Sequence, residues 1–397
     1  MPVPNNFRHQ RYTADPPVAP YRLLKALNSS AEDTELSQTR LHQIGQQLRA
    51  ARVRAILLAH GTFAGPDTFG MIDAIAGMLE KLNSKLKQVA KRVVDALARD
   101  GGNFTEKYAT LLRDAINVGY EPSDQEYIRV ERFHWSSENN HIGRADGAVR
   151  LVEEISRMNL SAPSKLLMLG HSHGGNVMAL ATNLIHADMP ALERFFAAAK
   201  AYYCIPGTKT NDVPHWSRVK DILMHDGPKN SSARAQLRES ALDWVTLGTP
   251  IRYGWDLTGN QRLLHLVNHR PTERHPTYLA RIPESMEQLW QADVGDLIHL
   301  LGIAGTNLIP SPISPRAVVA DRKLHSVLQS GVRRSEFGQN FRRGMRVAEQ
   351  GTTLLVDFGP KDDNVVRSLA GHAIYTRLPK LEFLMKTIAD LLYKPTA

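Results

Sequence analysis

Short runs of apolar and β-branched residues alternate along this sequence with longer segments whose apolar residues recur every three or four positions. The short runs predict strands, at residues 52–59, 127–134, 165–169, 201–205, 243–247, 263–267 and 352–357. The longer segments predict amphipathic helices, at residues 33–50, 71–99, 144–158, 176–186, 192–200 and 381–392. The alternation predicts an α/β fold with a mostly parallel central sheet and helices on both of its faces.

Two stretches interrupt this rhythm and shape the expected domain organisation. Residues 190–240 are less regular, and residues 272–350 are rich in proline, glycine and arginine without a clear strand–helix order. We expect residues 1–50 to form a polar leader and a helix, and residues 51–397 to form one α/β domain with insertions in those two stretches. The later insertion is the expected position of a cap over the site.

Residues 170–174 read Gly-His-Ser-His-Gly, a G-x-S-x-G pattern. The pattern directly follows the strand predicted at 165–169 and leads into the next predicted helix, which is the strand–turn–helix setting of a nucleophile elbow. Glycines on both sides let the turn pass close to its neighbours, where a Cβ would clash. The amino end of the helix directs backbone N–H groups and a positive dipole at the turn. Ser172 is therefore the predicted nucleophile.

A second motif ends the strand predicted at 52–59, where His60, Gly61 and Thr62 follow one another. In esterases and lipases a His-Gly turn at this place supplies one backbone N–H of the oxyanion hole, and the residue after the nucleophile supplies the other. The backbone N–H groups of Thr62 and His173 are thus the predicted oxyanion hole. Each such donor typically contributes about 2.7–4 kcal/mol to stabilising the transition state.

The general base is chosen by position among 16 histidines. In this topology the base follows the last strand and precedes the last helix, and His372 lies between the strand predicted at 352–357 and the helix predicted at 381–392. His372 also follows Ser172 along the chain, in the order that α/β enzymes of this kind use. His171 and His173 occupy the x positions of the elbow, and we expect them to have structural or substrate-lining roles.

The acid that orients the base should follow a late strand between Ser172 and His372. Asp296 is our choice because Asp-Leu-Ile at 296–298 resembles the Asp-x-Ile/Val pattern that often follows such a strand. No clear strand precedes it, so Asp293, Asp256 and Asp362 remain alternatives.

Charge and cysteine content narrow the functional classes. Lysine and arginine outnumber aspartate and glutamate by 49 to 40, a formal net charge of +9. The basic residues are scattered without zinc-finger spacing or an aromatic RNA-binding motif, so we expect no nucleic-acid partner. An anionic membrane surface would suit the basic surplus. The only cysteine, Cys204, excludes an intramolecular disulfide, and without an H-E-x-x-H motif or a cysteine pair the sequence does not indicate a metal site.

The first 20 residues are polar and rich in proline, without the apolar segment of a signal peptide. No apolar run reaches the roughly 18–20 residues that span a bilayer. We expect a cytoplasmic protein by default, with export by a route that reads no cleavable signal as the alternative.

Together these motifs resemble the α/β-hydrolase superfamily, on its serine lipase and esterase side, over about residues 52–394. The run Val-Thr-Leu-Gly-Thr-Pro at 245–250 is similar to a strand end found in many bacterial triacylglycerol lipases. The run Phe-His-Trp-Ser at 133–136 resembles large bacterial lipase-like proteins, some of which are delivered as antibacterial phospholipase effectors. The resemblance implies a mostly parallel sheet of eight strands, a triad of serine, histidine and an acid, and no cofactor.

The expected activity is hydrolysis of carboxylic esters, with lipid esters as the favoured substrate. Ser172 would carry the acyl group, His372 would act as general base, and Phe63 and Phe69 would line the substrate pocket. An amide or thioester substrate is compatible with the same groups. The alternative from another class is a non-catalytic α/β-hydrolase scaffold that binds a ligand or a protein.

Overall fold

A computed structural model describes the greater part of the chain. The described residues are 7–13, 15–26, 34–61, 103–160, 163–205, 213–224, 228–257, 261–273, 275–281, 295–303, 305, 307, 309–310, 314–329, 337–359 and 371–394.

Seven parallel strands form the central sheet of the described chain. They are β1 (Tyr21–Lys25), β2 (Val53–Ala59), β3 (Arg129–Phe133), β4 (Lys165–His171), β5 (Ala241–Leu247), β6 (Arg262–Asn268) and β7 (Thr352–Asp357). Their order across the sheet is β1-β7-β6-β5-β4-β2-β3, and every neighbouring pair is parallel. The α/β class predicted from the sequence is therefore confirmed.

Helices flank the sheet on both faces. They are α1 (Thr34–Ala50), α2 (Glu106–Ile116), α3 (His141–Met158), α4 (His173–His186), α5 (Met189–Tyr203), α6 (Pro214–Met224), α7 (Pro228–Glu239), α8 (Leu297–Ile303), α9 (Pro315–Leu328), α10 (Phe337–Arg343) and α11 (Leu381–Leu392). Two short 3-10 helices, Ala373–Thr376 and Leu378–Lys380, precede α11.

The continuous apolar character of the strands follows from burial on both faces. In β4, Leu166 and Met168 join a core cluster that includes α3, α4, α5 and α9. Leu167 and Leu169 point the other way, into a cluster that includes α1, α2 and α11. Because successive side chains of a strand face opposite sides, a buried strand needs apolar residues at every position.

The predicted strands other than 201–205 coincide with β2 to β7 to within two residues at each end. The strand predicted at 201–205 is wrong, because α5 continues to Tyr203. The Tyr203 ring stacks on the buried Trp216 of α6, with ring centroids 5.1 Å apart. Packing between helices therefore overrides the local β preference of this run. The helix predicted at 71–99 lies outside the described residues.

Strand β1 was not predicted, because the sequence suggested only a polar leader before the first helix. The strand pairs with β7 in parallel register, Tyr21 beside Thr353 and Lys25 beside Asp357. It lies at the sheet edge, and Leu23 is 45% exposed. A half-exposed edge strand of five residues lacks the apolar run that identifies a buried strand.

The two irregular stretches contribute helices to the flanking layers. Within 190–240 lie most of α5 and all of α6 and α7, and within 272–350 lie α8, α9 and α10. Helix α9 packs against α5 and α3 and places Ala320 and Leu324 in a core cluster. The cap expected in 272–350 stays a prediction.

Candidate active site

Ser172 lies in the turn between β4 and α4, with φ 52° and ψ −130°. This backbone region is rarely adopted by residues other than glycine, and it stores strain of about 1–3 kcal/mol. The turn is held by two hydrogen bonds: the Ser172 N–H donates to the Leu247 carbonyl at 3.0 Å, and the Gly175 N–H donates to the Ser172 carbonyl at 3.1 Å. Within the described residues, the Ser172 hydroxyl makes no capping bond to the helix that it precedes.

The glycine two residues after Ser172 is required by close packing. A Cβ on Gly174 would lie 2.5 Å from the carbonyl oxygen of Ala59 and 2.6 Å from that of His60. The first turn of α4 therefore rests directly on the carboxyl end of β2. This contact agrees with the clash that the sequence predicted for a side chain at this position.

The carboxyl end of β2 also approaches Ser172, the predicted nucleophile. A Cβ on Gly61 would lie 2.6 Å from the Ser172 Cβ and 3.2 Å from its Oγ. Strands β2 and β4 are neighbours in the sheet. From β2 the chain continues to β3 on one side of this pair, whereas from β4 it continues to β5 on the opposite side. The adjacent ends of β2 and β4 thus form a topological switch point, where open α/β sheets characteristically bind their ligands.

His60 is fixed at this strand end by Trp135, from the run that follows β3. The Trp135 indole N–H donates to the His60 carbonyl at 2.9 Å, and the two rings stack with centroids 5.9 Å apart. The Nδ1 atom of His60 lies 3.2 Å from the Ser137 hydroxyl. Burial lowers the pKa of His60, which keeps this ring neutral at pH 7.

His372 and Asp296 meet at the carboxyl side of the sheet. The Nδ1–H of His372 donates to Asp296 Oδ2 at 2.7 Å, and both side chains are fully buried. Burial alone raises the pKa of Asp296, but the charge and hydrogen bond of His372 hold it at about 2, with further help from His299 and Arg346. Asp296 is therefore an ionised carboxylate that fixes the orientation of the His372 ring.

The His372 ring lies beside the elbow. Its centroid is 4.7 Å from that of His171, the residue before Ser172. The Nε2 atom of His171 donates to the His372 carbonyl at 3.1 Å, so β4 also holds the backbone of the predicted base. The hydrogen bond is a structural contact of His171, for which a structural or substrate-lining role was expected.

His173 follows Ser172 and is buried at the start of α4. Its Nδ1 accepts a hydrogen bond from Asn176 Nδ2 at 3.0 Å. Burial lowers the pKa of His173 well below its ordinary value, and the positive charges of Arg144 and Arg252 lower it further. The side chain is thus neutral at pH 7, and the oxyanion role predicted for this residue concerns its backbone N–H alone.

Other predicted site residues are placed elsewhere or are not described. Asp256 forms an ion pair with Arg8 at 3.1 Å and does not contact His372 among the described interactions. The remaining predicted site residues, which are Thr62, Phe63, Phe69, Asp293 and Asp362, lie outside the described residues.

Sequence reasoning missed the residues that surround the Asp296 carboxylate. The Tyr375 hydroxyl donates to Oδ2 at 3.0 Å, and the His299 N–H donates to Oδ1 at 2.8 Å. The Asp296 N–H donates to the Asn268 carbonyl at 2.9 Å, and Arg346 donates to the Asp296 carbonyl at 2.5 Å. The one local sequence feature that could have pointed to these contacts is the position of Tyr375, which lies three residues after His372, the predicted base.

Neither a metal centre nor a membrane segment emerges from the described residues. They contain no group of three or more histidine, cysteine, aspartate or glutamate side chains arranged to hold a metal ion. No helix in this part of the chain has the length and apolar content required to cross a bilayer.

Comparison with protein-family models, with curated proteins and with solved structures found no match to this chain.

Proposed function

We propose that this protein is a serine hydrolase that cleaves carboxylic esters, with Ser172 as nucleophile and His372 as general base. The observation that carries the proposal is the buried ionised Asp296 at 2.7 Å from His372, whose ring packs against the residue preceding Ser172. A serine hydroxyl needs such a neighbouring base, oriented by a third group, to become a useful nucleophile.

In the proposed reaction the Ser172 Oγ attacks the acyl carbon while His372 Nε2 accepts the hydroxyl proton. The backbone N–H groups of His173 and Thr62 are the proposed donors to the oxyanion of the tetrahedral intermediate. Collapse of that intermediate breaks the bond to the leaving alcohol, which receives the proton from His372. A water molecule then attacks the acyl-enzyme by the same route, and it releases the acid and restores Ser172.

We also propose that the fold is that of an α/β-hydrolase. The order of the three side chains along the sequence, Ser172, Asp296 and His372, is the order used in that superfamily. Further support comes from the positive φ of Ser172 between a strand and a helix. The position of Ser172 at the switch point of a parallel sheet agrees with the same assignment.

Lipid esters are the proposed substrate class, with an anionic membrane surface as the accompanying partner. The support is the net charge of +9, which would attract the protein to negatively charged lipid. The cap proposed within 272–350 and the pocket residues proposed at Phe63 and Phe69 would then contact the acyl chain.

The test is covalent labelling by a fluorophosphonate probe, which reacts with activated serines. We expect the wild-type protein to be labelled, Ser172→Ala to be unlabelled, and Asp296→Asn to react about a thousandfold or more slowly. Ser326→Ala is the matched control, because this exposed serine in α9 bonds only to a backbone carbonyl of its own helix among the described contacts.

Circular dichroism should show that each variant is folded. Equal labelling of the wild-type protein and Ser172→Ala would contradict the assignment of the nucleophile. Absence of labelling in a folded wild-type protein would favour the non-catalytic scaffold instead.

A further inference from the structure

We propose that Tyr375 is a positioning residue of this site, whose hydroxyl hydrogen bond to Asp296 sets the pH below which His372 no longer acts as a base. This inference rests on the proposed function, since it concerns the base of the same reaction. Tyr375 itself touches the acid and acts on the reacting atoms only through it.

The direction of the hydrogen bond is fixed by the neighbours of the tyrosine oxygen. The backbone N–H of Asn268 points at the Tyr375 Oη at 2.6 Å and occupies it as an acceptor. The single hydroxyl proton is then left for the other neighbour, Asp296 Oδ2 at 3.0 Å. Because a carboxylate has no proton to give, Tyr375 must be the donor to Asp296.

The base and the tyrosine reach the same carboxylate oxygen from one turn of chain. His372 directly precedes the 3-10 helix Ala373–Thr376, and Tyr375 lies within that helix, three residues after His372. Side chains three residues apart lie on one side of a 3-10 turn. His372 Nδ1 and Tyr375 Oη therefore both donate to Asp296 Oδ2, at 2.7 and 3.0 Å.

The tyrosine ring has little freedom to leave this position. It is fully buried, and a Cβ on Gly248 would lie 2.4 Å from its Cε2 atom. On another side the ring meets Phe358 edge to face, with centroids 6.0 Å apart. The hydroxyl is thus presented to Asp296 in a preorganised geometry.

Two donors on one oxygen divide its negative charge. Removing the tyrosine hydroxyl would leave more of that charge facing His372, and a protonated ring would be better stabilised there. His372 would then gain its proton at a higher pH and would be inactive as a base over a wider acidic range. Among the described residues, the other titratable or charged groups that face the pair are His171, His173, His299 and Arg346, and they stay in place in such a variant.

The experiment compares Tyr375→Phe with the wild-type protein in the pH dependence of kcat/KM for a nitrophenyl ester. We expect the acidic limb to move to higher pH by about 0.5–1 unit, since a hydrogen bond to a charged group is worth about 1–2 units and only part of that difference passes from Asp296 to the histidine. Tyr393→Phe is the matched control: its hydroxyl donates to the buried Asp243 at 2.8 Å, near the amino end of β5 and away from the elbow. That variant should leave the limb unchanged.

A second variant changes the hydrogen bond in the opposite sense and preserves packing. Site-specific replacement of Tyr375 by 3-fluorotyrosine makes the hydroxyl a stronger donor, so the acidic limb should move to lower pH. Opposite shifts in the two variants are not expected from a residue that only fills space. An unchanged limb in folded Tyr375→Phe, or shifts of the same sign in both variants, would overturn the proposal.

A readout that needs no activity separates this proposal from the proposed function. Titration of the His372 ring by NMR in Ser172→Ala, with and without Tyr375→Phe, should show the same upward shift. If the wild-type protein is not labelled by the fluorophosphonate probe but this shift is present, the proposed function fails and the role of Tyr375 stands. Labelling without any shift gives the reverse result.

Discussion

The backbone at Ser172 shows how individual residues carry the site. Its positive φ is maintained by the hydrogen bonds to Leu247 and from Gly175, which offset strain of about 1–3 kcal/mol. In this strained turn the Ser172 hydroxyl lies at the carboxyl end of the sheet and, among the described residues, does not form a capping hydrogen bond to α4. The space around it is controlled by Gly61, whose missing side chain lets β2 approach the serine.

We therefore predict that Gly61→Ala slows fluorophosphonate labelling by about a hundredfold or more while the protein remains folded. The added Cβ would lie 2.6 Å from the Ser172 Cβ, so the serine or the β2 end must move from its position. A displacement of about 1 Å in a catalytic group can cost a hundredfold in rate. The measurement is the second-order labelling rate together with the circular dichroism spectrum.

Gly119→Ala is the control for this prediction, because a Cβ there meets no atom of the described residues within 4 Å. Its φ of 82° makes the substitution cost about 1 kcal/mol of stability, but labelling should continue at the wild-type rate. Labelling of Gly61→Ala at the wild-type rate would argue against the close approach of β2 and the elbow.

The residues of the site differ in how far the sequence could predict them. Ser172 and His372 follow from short motifs and from the order of strands and helices. Asp296 was only one of four candidates, because it reaches the sheet through a bridge between Gly295 and His269 rather than by directly following a strand. Tyr375 could not be assigned, since its role depends on contacts with Asn268 and Asp296 that lie far away along the chain.

At the scale of elements, one buried carboxylate connects α6 to α3 through hydrogen bonds. Asp146 of α3 is buried and accepts hydrogen bonds from His215 Nε2 at 2.7 Å and from the Trp216 indole at 2.8 Å. Arg150, one turn further along α3, donates to its second oxygen at 2.7 Å. Burial raises the pKa of Asp146, but the hydrogen bonds and charges of His215 and Arg150 lower it overall.

We predict that Asp146→Asn lowers the free energy of unfolding by about 3 kcal/mol at pH 7, the magnitude typical of breaking a buried charged pair. Because the folded pKa of Asp146 lies below the unfolded value, the carboxylate contributes its full stability above about pH 4. That contribution is lost as the pH falls through the folded pKa. The difference between wild type and variant should therefore be constant from pH 7 to 5 and smaller at pH about 3.

Urea unfolding at these pH values measures the difference directly. Asp114→Asn is the control, because this carboxylate of α2 is 62% exposed and pairs only with its neighbour Arg113 among the described contacts. It should change stability by less than about 0.5 kcal/mol. Equal urea midpoints for wild type and Asp146→Asn at pH 7 would show that this carboxylate does not fasten the helices.

Most strands were predictable because the sheet is buried on both faces and its strands read as apolar runs, whereas helices α2, α6, α7, α8, α9 and α10 were not predicted. The two errors among the strands share a cause, which is that tertiary contact outweighs local preference. Residues 201–203 continue α5 because Tyr203 stacks on Trp216. Strand β1 forms because β7 offers it an edge, and its own sequence carries only two leucines among five residues.

For the whole molecule, the proposed lipid substrate and the net charge of +9 together predict a preference for negatively charged lipid surfaces. We predict faster hydrolysis of anionic phosphatidylglycerol vesicles than of zwitterionic phosphatidylcholine vesicles at low salt. The ratio of the two rates should fall as sodium chloride rises from about 0.02 M to about 0.5 M. At the higher salt concentration, screening shortens the range of attraction between exposed charges to a few ångström. Fatty-acid release from each vesicle measures this ratio.

Short nitrophenyl esters provide the control, since their neutral molecules should show little dependence on salt. Equal rates on the two kinds of vesicle would remove the anionic surface as a partner. Activity confined to short soluble esters would remove lipid as the substrate while leaving the ester hydrolase in place.

Strand β1 precedes every other strand of the sheet, yet the strand that it pairs with follows about 330 residues later. During translation β1 therefore leaves the ribosome long before β7 has been made, and its backbone donors and acceptors stay open to other nascent chains. Short length and cationic side chains discourage such pairing, and β1 carries Arg22 and Lys25 within five residues. The same two charged side chains that oppose intermolecular pairing at the edge of the folded sheet thus also oppose it in the nascent chain, before β7 has been synthesised.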